Sequence, residues 1–282
     1  MNNLENQGGV NKSVINWYPG HMTKAVRQMK EDIKLIDLVI ELLDARIPLS
    51  SRNPDIDDLG KNKARLVLLN KSDLADETDN NKWIQYFKDK GIIALKINSK
   101  NKQGIKEINN AVQIACKEKI ERDKKRGIIN RPVRAMVVGI PNVGKSTFIN
   151  AYAGRAAAKT GNKPGVTKGK QWIRLNKMEE LLDTPGILWP KFEDQEVGLR
   201  LAYIGSIKDE LYNIYELSVL LLQYLRENYS NAVSNFYGIA EEKTSEETLK
   251  QIAEKRGCLK AGGEFDLDKA AKCLIDDFRA GK

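Results

Sequence analysis

The 282-residue sequence predicts an α/β fold, a doubly wound parallel sheet joined to a C-terminal all-α region. Three observations predict it. Short apolar runs of strand length alternate with helical patterns from residue 23 to residue 183. Each such run ends on a glycine or a short polar side chain, where a doubly wound sheet collects its ligand-binding groups. Beyond Pro190 the apolar spacing turns helical and no strand pattern returns.

The elements follow in order. Trp17 to Met22 reads as a turn, and a helix runs from Thr23, a suitable N-cap, to Ile36. Leu38–Leu43 is apolar enough for a buried strand and ends at Asp44-Ala45-Arg46. Arg65–Leu69 is a second strand, with Asn70 at its end. Asn81–Lys90 is an amphipathic helix, Ile92–Ile97 a strand leading into Asn98-Ser99-Lys100, and Ile105 to about Lys124 one long helix. Val133–Val138 is a strand that enters a glycine-rich loop, and Ser146–Tyr152 opens the next helix. Trp172–Leu175 and Glu180–Leu182 are the last strands, the second ending at Asp183. Glu193–Phe236 and Asp268–Phe278 are helical. The expected organisation is a polar tail (1–14), an α/β domain (15–192) and a helical domain (195–282).

Charge is unevenly placed. Residues 1–190 carry a net +13 and residues 191–282 a net −4. Lys117–Arg134 holds eight Lys/Arg against three acids, and Arg155–Lys177 holds seven with no acid. A solvated helix face explains the first stretch; contact with an RNA phosphate backbone explains both. No apolar run is long enough to cross a membrane, the N-terminus lacks a signal-peptide layout, and DNA is not an expected partner. Cys116, Cys258, Cys273 and a single histidine form no zinc pattern, and the thiols read as reduced ones in a cytoplasmic protein.

The loop Gly139-Ile140-Pro141-Asn142-Val143-Gly144-Lys145-Ser146 fits G-x-x-x-x-G-K-[ST]. Its glycines let successive amides turn toward a phosphate, and the following helix N-terminus adds a favourable dipole. Val143, Gly144 and Thr147 belong to this cradle. Lys145 bridges the β and γ phosphates, and Ser146 binds Mg²⁺. Asp183-Thr184-Pro185-Gly186 follows at the spacing of a γ-phosphate sensor: Asp183 reaches Mg²⁺ through water, and the Gly186 amide meets the γ phosphate. Thr167, in the intervening Pro164-Gly165-Val166-Thr167 segment, is the candidate second hydroxyl on Mg²⁺, with Thr160 as the alternative. Asn70-Lys71-Ser72-Asp73 fits N-K-x-D. A carboxylate at Asp73 accepts from guanine N1–H and the 2-amino group, and adenine would leave it unpaired. Lys71 lies over the base, Asn70 ties this loop to the phosphate loop, and the Asn98-Ser99 loop offers an amide to guanine O6. The reading is therefore a P-loop GTPase using Mg²⁺.

The order is informative. The guanine motif precedes the phosphate loop, so the domain is circularly permuted, with the cut just after Asp183–Gly186. Gly186 then leads straight into residues 195–282, and the γ-phosphate state can be passed along that tether. Ile187 stands where many such enzymes carry a water-orienting glutamine. His21 is then a candidate catalytic group or a structural turn residue, and Asn142 a candidate ligand for a monovalent cation.

The permuted order, Asp44-Ala45-Arg46, the Gly139–Ser146 loop and the leading Trp17-Tyr18-Pro19-Gly20-His21-Met22 together resemble the YlqF/YawG family of circularly permuted GTPases. The resemblance covers nearly the whole chain from about Ile15. It implies late assembly of the large (50S) ribosomal subunit, contact with 23S rRNA and ribosomal proteins, and hydrolysis stimulated by that particle. It also implies that a hydrophobic residue at Ile187 is normal, that His21 is catalytic, and that Asn142 supports activation by K⁺. Two other readings stand beside it: a GTP-dependent RNA-binding module with little turnover, and a signalling GTPase with a protein partner.

Overall fold

The structure is a computed structural model of the full chain, and it describes residues 21–128, 131–158, 171–175, 179–183, 195–240 and 244–282. For 21–26, 171 and 183 the backbone alone is described. The chain divides into two compact units, whose described parts are 21–183 and 195–282.

The first unit runs α1 (His21–Asp32), β1 (Leu38–Asp44), α2 (Ile56–Leu59), β2 (Ala64–Asn70), α3 (Glu77–Asp89), β3 (Ile93–Lys96), α4 (Ile108–Ala115), α5 (Lys117–Lys125), β4 (Val133–Val138), α6 (Lys145–Ala153), β5 (Gln171–Arg174) and β6 (Glu179–Asp183). The six strands lie in the order β3-β2-β1-β4-β6-β5. All neighbours are parallel except β5 with β6. That pair corrects the wholly parallel sheet expected from sequence. Residues 175–178 alone separate β5 from β6, and so short a link permits only an antiparallel hairpin, since a parallel crossover needs a dozen residues or more.

The central strands are buried on both faces, and their sequences are correspondingly continuous in Leu, Ile and Val. Met29, Ile33 and Ile36, on α1 and the turn after it, pack on Val39, Met136 and Leu182. On the β2–β3 half, Phe87 of α3 packs on Val67 and Leu69, with Trp83 and Ile84 against that cluster. Between these clusters β1 buries Glu41, whose carboxylate accepts from Arg52 Nε at 2.9 Å and Arg65 Nε at 2.9 Å. Asp57 pairs with the same two arginines, so the network is balanced in charge.

Several boundaries differ from the sequence expectation, three of them for visible reasons. Thr23 lies inside α1, not at its cap. Helix α3 starts four residues before Asn81, because Asp76 caps it by accepting from the Thr78 and Asp79 amides. The single helix expected from Ile105 is two, α4 and α5, broken at buried Cys116. The break falls where the inward face changes from Ile108, Ala111 and Val112 to Lys119 and Asp123, whose ion pair turns toward the foot of the sheet.

The second unit comprises α7 (Gln195–Tyr203), α8 (Ile214–Asn228), α9 (Ala232–Tyr237), α10 (Ser245–Arg256) and α11 (Leu267–Arg279). The apolar pattern does not mark α10, although Thr244 and Glu247 form a capping box at its start. The core gathers Leu201, Leu217, Leu221, Leu249, Ile252, Leu274 and Ile275. Arg279 ties the last helix to the first, donating to the carbonyls of Ala202 (2.9 Å) and Tyr203 (3.2 Å) and pairing with Asp209 (2.9 Å).

Candidate functional site

Strand register brings the motifs to one rim. Asp44 at the end of β1 lies opposite Asn70 at the end of β2, and Leu69 is level with Lys96, just before the Asn98 loop. On the other side Val137, two residues before the Gly139 loop, is level with Asp183.

The Gly139–Gly144 turn is shaped by close approaches. A Cβ on Gly139 would sit 2.6 Å from the Leu42 carbonyl, so the loop can pass β1 only with glycine there. Gly144 takes φ +99°, and a Cβ on it would lie 2.5 Å from Asn70 Nδ2. Asn142 also adopts a left-handed conformation, φ 57°. Helix α6 starts immediately at Lys145, so its first-turn amides face the turn. The Lys145 amine arcs back over the loop and donates to the carbonyls of Gly139 (3.0 Å) and Ile140 (3.1 Å). Ser146 is half-buried and Thr147 exposed on that first helical turn.

Asn70 joins the two loops. It is 2 % exposed. Its Nδ2 donates to the Val143 carbonyl at 2.8 Å. Its Oδ1 accepts from the Ser99 amide at 3.1 Å and the Ser99 hydroxyl at 2.8 Å. Lys71 sits in a left-handed turn, φ 58°, and its amine donates to the Asn142 carbonyl (2.9 Å) and to Asp44 Oδ2 (3.0 Å). Asp73, in the short turn that follows, is exposed, and no described residue bonds its carboxylate. The Ser99, Lys100 and Asn101 amides are all bonded within the rim, the last two to Asn98 Oδ1 at 3.0 and 3.1 Å. A guanine O6 would therefore share or replace one of these bonds.

Asp44 and Arg46 are site residues whose role the sequence reading missed. The fully buried Asp44 carboxylate accepts from Arg46 Nε (2.8 Å), Arg46 Nη2 (2.8 Å) and Lys71. Burial raises its pKa, but the Arg46 hydrogen bonds and the Lys71 and Arg46 charges outweigh it and hold the carboxyl below its ordinary value. The usable signal was the lone acid closing the run Leu38–Leu43, one strand away from the lysine it would meet.

Other candidates lie partly or wholly outside the described residues. Thr160, Thr167 and Gly186 fall outside them. His21 is the first residue of α1 and Asp183 the last of β6, each by backbone alone. Among the described residues no group of three or more His, Cys, Asp or Glu could hold a metal. The oxygen donors near the loop are a hydroxyl at the start of α6 and a carboxylate residue at the adjacent strand end. A hard cation that completes its shell with phosphate and water oxygens, such as Mg²⁺, fits that donor set; zinc does not.

A phosphate loop and an N-K-x-D strand end on one rim, in a sheet whose guanine-side strands come first in the chain, define a circularly permuted P-loop GTPase. The family described as 50S ribosome-binding GTPase matches residues 134–255, so its match begins in β4 and leaves out the earlier guanine motif, as the permuted order requires. The chain is 51% identical over 270 residues to Ribosome biogenesis GTPase A of Bacillus cereus, covering 95% of this chain and 91% of that protein. It is also 51% identical over 270 residues to the protein of that name from Bacillus licheniformis, covering 95% of each. The GNP-bound crystal structure of YlqF from T. maritima superimposes with TM-score 0.64 at 29% identity, over 92% of this chain and 94% of that one. The chain belongs to the ribosome biogenesis GTPase A family.

Proposed function

We propose that this protein is a GTP-driven switch in a late step of large (50S) ribosomal subunit assembly, acting in the cytoplasm. The names of its relatives support the ribosomal setting. The observation that carries the switch chemistry is the Asn70 bridge, which fixes the guanine loop to the phosphate loop through Val143 and Ser99.

In this reading Asp73 accepts from the guanine edge, Lys71 lies along the base, and Ser72, Asn98 and Ser99 shape the base pocket. Val143, Gly144 and Thr147 offer amides to the phosphates, and Lys145 leaves its loop carbonyls to bridge the β and γ groups. Ser146 and Thr167 would hold Mg²⁺ directly and Asp183 through water, and when bound the ion would supply charge neutralisation at the γ phosphate. Asn142 supplies a ligand for an activating K⁺. His21 orients the attacking water, a task closed to Ile187. Intrinsic turnover is slow, on the order of 10⁻⁴–10⁻² s⁻¹, until the 50S particle orders the site. Gly186 senses the γ phosphate and passes its loss to residues 195–282, which with the basic body contact 23S rRNA and ribosomal proteins.

The test is phosphate release from GTP with and without purified 50S particles, for wild type and His21→Ala, with sedimentation on 50S in GTP analogue and in GDP. Stimulated release that His21→Ala loses, with stronger association in the analogue, is expected. Association without stimulated release would replace the switch by a GTP-dependent RNA-binding module.

A further inference from the structure

The two basic stretches are separate in sequence, and the fold gathers their described parts at one end of the sheet. The parallel strands β4 and β6 begin at Val133 and Glu179, and the antiparallel β5 ends there at Arg174. Helix α5 runs beside them: the Asp37 carboxylate takes both the Arg134 amide (3.1 Å) and the Lys119 amine (3.7 Å), and nearer the end of the helix Asp123 lies 4.0 Å from Arg131, two residues before β4. This is the foot of the sheet, opposite the rim that carries the Gly139 loop.

Charge at this foot does not cancel. Asp37 and Asp123 are held by Lys119 and Arg131, and Glu180 by Arg134. On the previous turn of α5, Glu121 faces Lys117 and Glu118 is offset by Arg122. Lys124, Lys125, Arg126 and Arg174 remain, exposed and without an ion pair among the described residues.

An aromatic ring lies within this surplus. Register sets Arg134, Glu180 and Arg174 in one row across three strands, and Trp172 stands two residues from Arg174 on the same face. Trp172 is 39 % exposed at the sheet edge, and the Arg134 guanidinium lies over its ring at 5.4 Å. A solvated lysine face explains α5 alone. It does not explain an exposed tryptophan stacked with arginine beside it.

We infer that the foot of the sheet is an RNA-docking surface: Lys124, Lys125, Arg126 and Arg174 take backbone phosphates, and the Arg134–Trp172 stack takes an unpaired base. Single-stranded loops offer both groups together, a polyanion and a free π face. The inference rests on the ribosomal reading above and adds the face that meets the RNA. Because it lies opposite the nucleotide rim, the protein can hold RNA while the GTP site stays open to solvent or to a second contact.

Binding of naked 23S rRNA and of purified 50S particles, measured against salt concentration, tests it. Lys124→Ala/Lys125→Ala/Arg126→Ala should weaken both by roughly tenfold or more at physiological salt and lower the salt slope by about 2–3, the share of three phosphate contacts. Trp172→Ala should weaken binding roughly 5- to 100-fold with the slope unchanged, and Trp172→Phe should keep most of the affinity. Tryptophan fluorescence should be quenched by the rRNA in wild type and not in Trp172→Phe. Guanine-nucleotide affinity, equal in all variants, checks folding. If wild type binds and every variant matches it in affinity and slope, this surface is wrong and the RNA reading survives. Variants weakened on 50S but not on naked rRNA would assign the surface to a ribosomal protein and overturn the inference. Wild type binding neither would remove the RNA reading itself.

Discussion

Replacing Asn70 by alanine removes three hydrogen bonds at once, and the structure says which partners are then stranded. The Val143 carbonyl loses the Nδ2 donor at 2.8 Å, and the Ser99 amide loses the Oδ1 acceptor at 3.1 Å. Both lie in buried residues, where an orphaned polar group costs about 1–3 kcal/mol. The Ser99 hydroxyl can rotate to another partner, so its bond at 2.8 Å adds little. Asn70→Ala should therefore destabilise the nucleotide-free first unit by about 2–6 kcal/mol. Chemical denaturation followed by hydrogen exchange in β2 and α6 reports that loss separately from the second unit. Nucleotide affinity should fall as well, because the two loops are no longer fixed to each other. Asn70→Asp sharpens the test. It keeps the acceptor for Ser99 but sets a carboxylate against the Val143 carbonyl and beside the phosphate site, so GDP affinity should fall further than in Asn70→Ala. If either variant unfolds within about 0.5 kcal/mol of wild type and binds GDP equally well, the bridge is incidental and the reasoning fails.

Other consequences follow from the same geometry. Gly144→Ala places a methyl 2.5 Å from Asn70 Nδ2 at a φ of +99°, so GDP affinity should drop at least tenfold by calorimetry, and Asn70→Ala should partly rescue it. Asp44→Asn removes a carboxylate whose pKa is depressed in the folded state, so the stabilisation it withdraws is fully present above the ordinary value of 3.8 and fades as pH falls below it. Wild type and Asp44→Asn should accordingly differ in denaturation midpoint at neutral pH and converge below about pH 4. Arg279→Ala strips donors from the Ala202 and Tyr203 carbonyls and a partner from Asp209, so it should destabilise the helical unit by about 1–3 kcal/mol while leaving GDP affinity unchanged.

What was legible in the sequence depended on how local the cause was. Glycine at 139 and 144 is demanded by Leu42 and Asn70, which are distant in sequence, yet the phosphate loop could be read because the groups that cradle a phosphate all lie within eight consecutive residues. The N-K-x-D strand end was equally readable, since its apolar run predicts a buried strand and its polar end a rim. Asp76 and Thr244 act as caps over three residues, and both are local signals, although the apolar pattern alone places the first helix start at Asn81 and marks no helix near Thr244. The break at Cys116 was not readable. Its cause is the pairing of Lys119 and Asp123 with Asp37 and Arg131, which come together only when the sheet forms.

The role of Asp44 belongs to the same class, and it bears on why a permuted chain keeps its site. In the permuted order the guanine loop and the phosphate loop are separated by 73 residues between Asn70 and Val143, and the chain from one to the other passes through α3, β3, α4, α5 and β4. Loop-closure cost grows only slowly with that length, so the separation is inexpensive for stability, but covalent proximity does not fix the two loops relative to each other. The fixing falls to side chains. Asn70 reaches Val143 directly, Lys71 reaches the Asn142 carbonyl, and Asp44 holds Lys71 from the strand between β2 and β4 in the sheet. Asp44 keeps its charge because Arg46, two residues on, donates to both carboxylate oxygens. The clamp therefore spans three adjacent strands, and a mutation that neutralises Asp44 should loosen Lys71 and the phosphate loop together. A double-mutant cycle between Asp44→Asn and Lys71→Ala checks this: a coupling of about 1 kcal/mol or more in GDP affinity is expected, and additivity within about 0.3 kcal/mol would show that Asp44 acts on the fold alone.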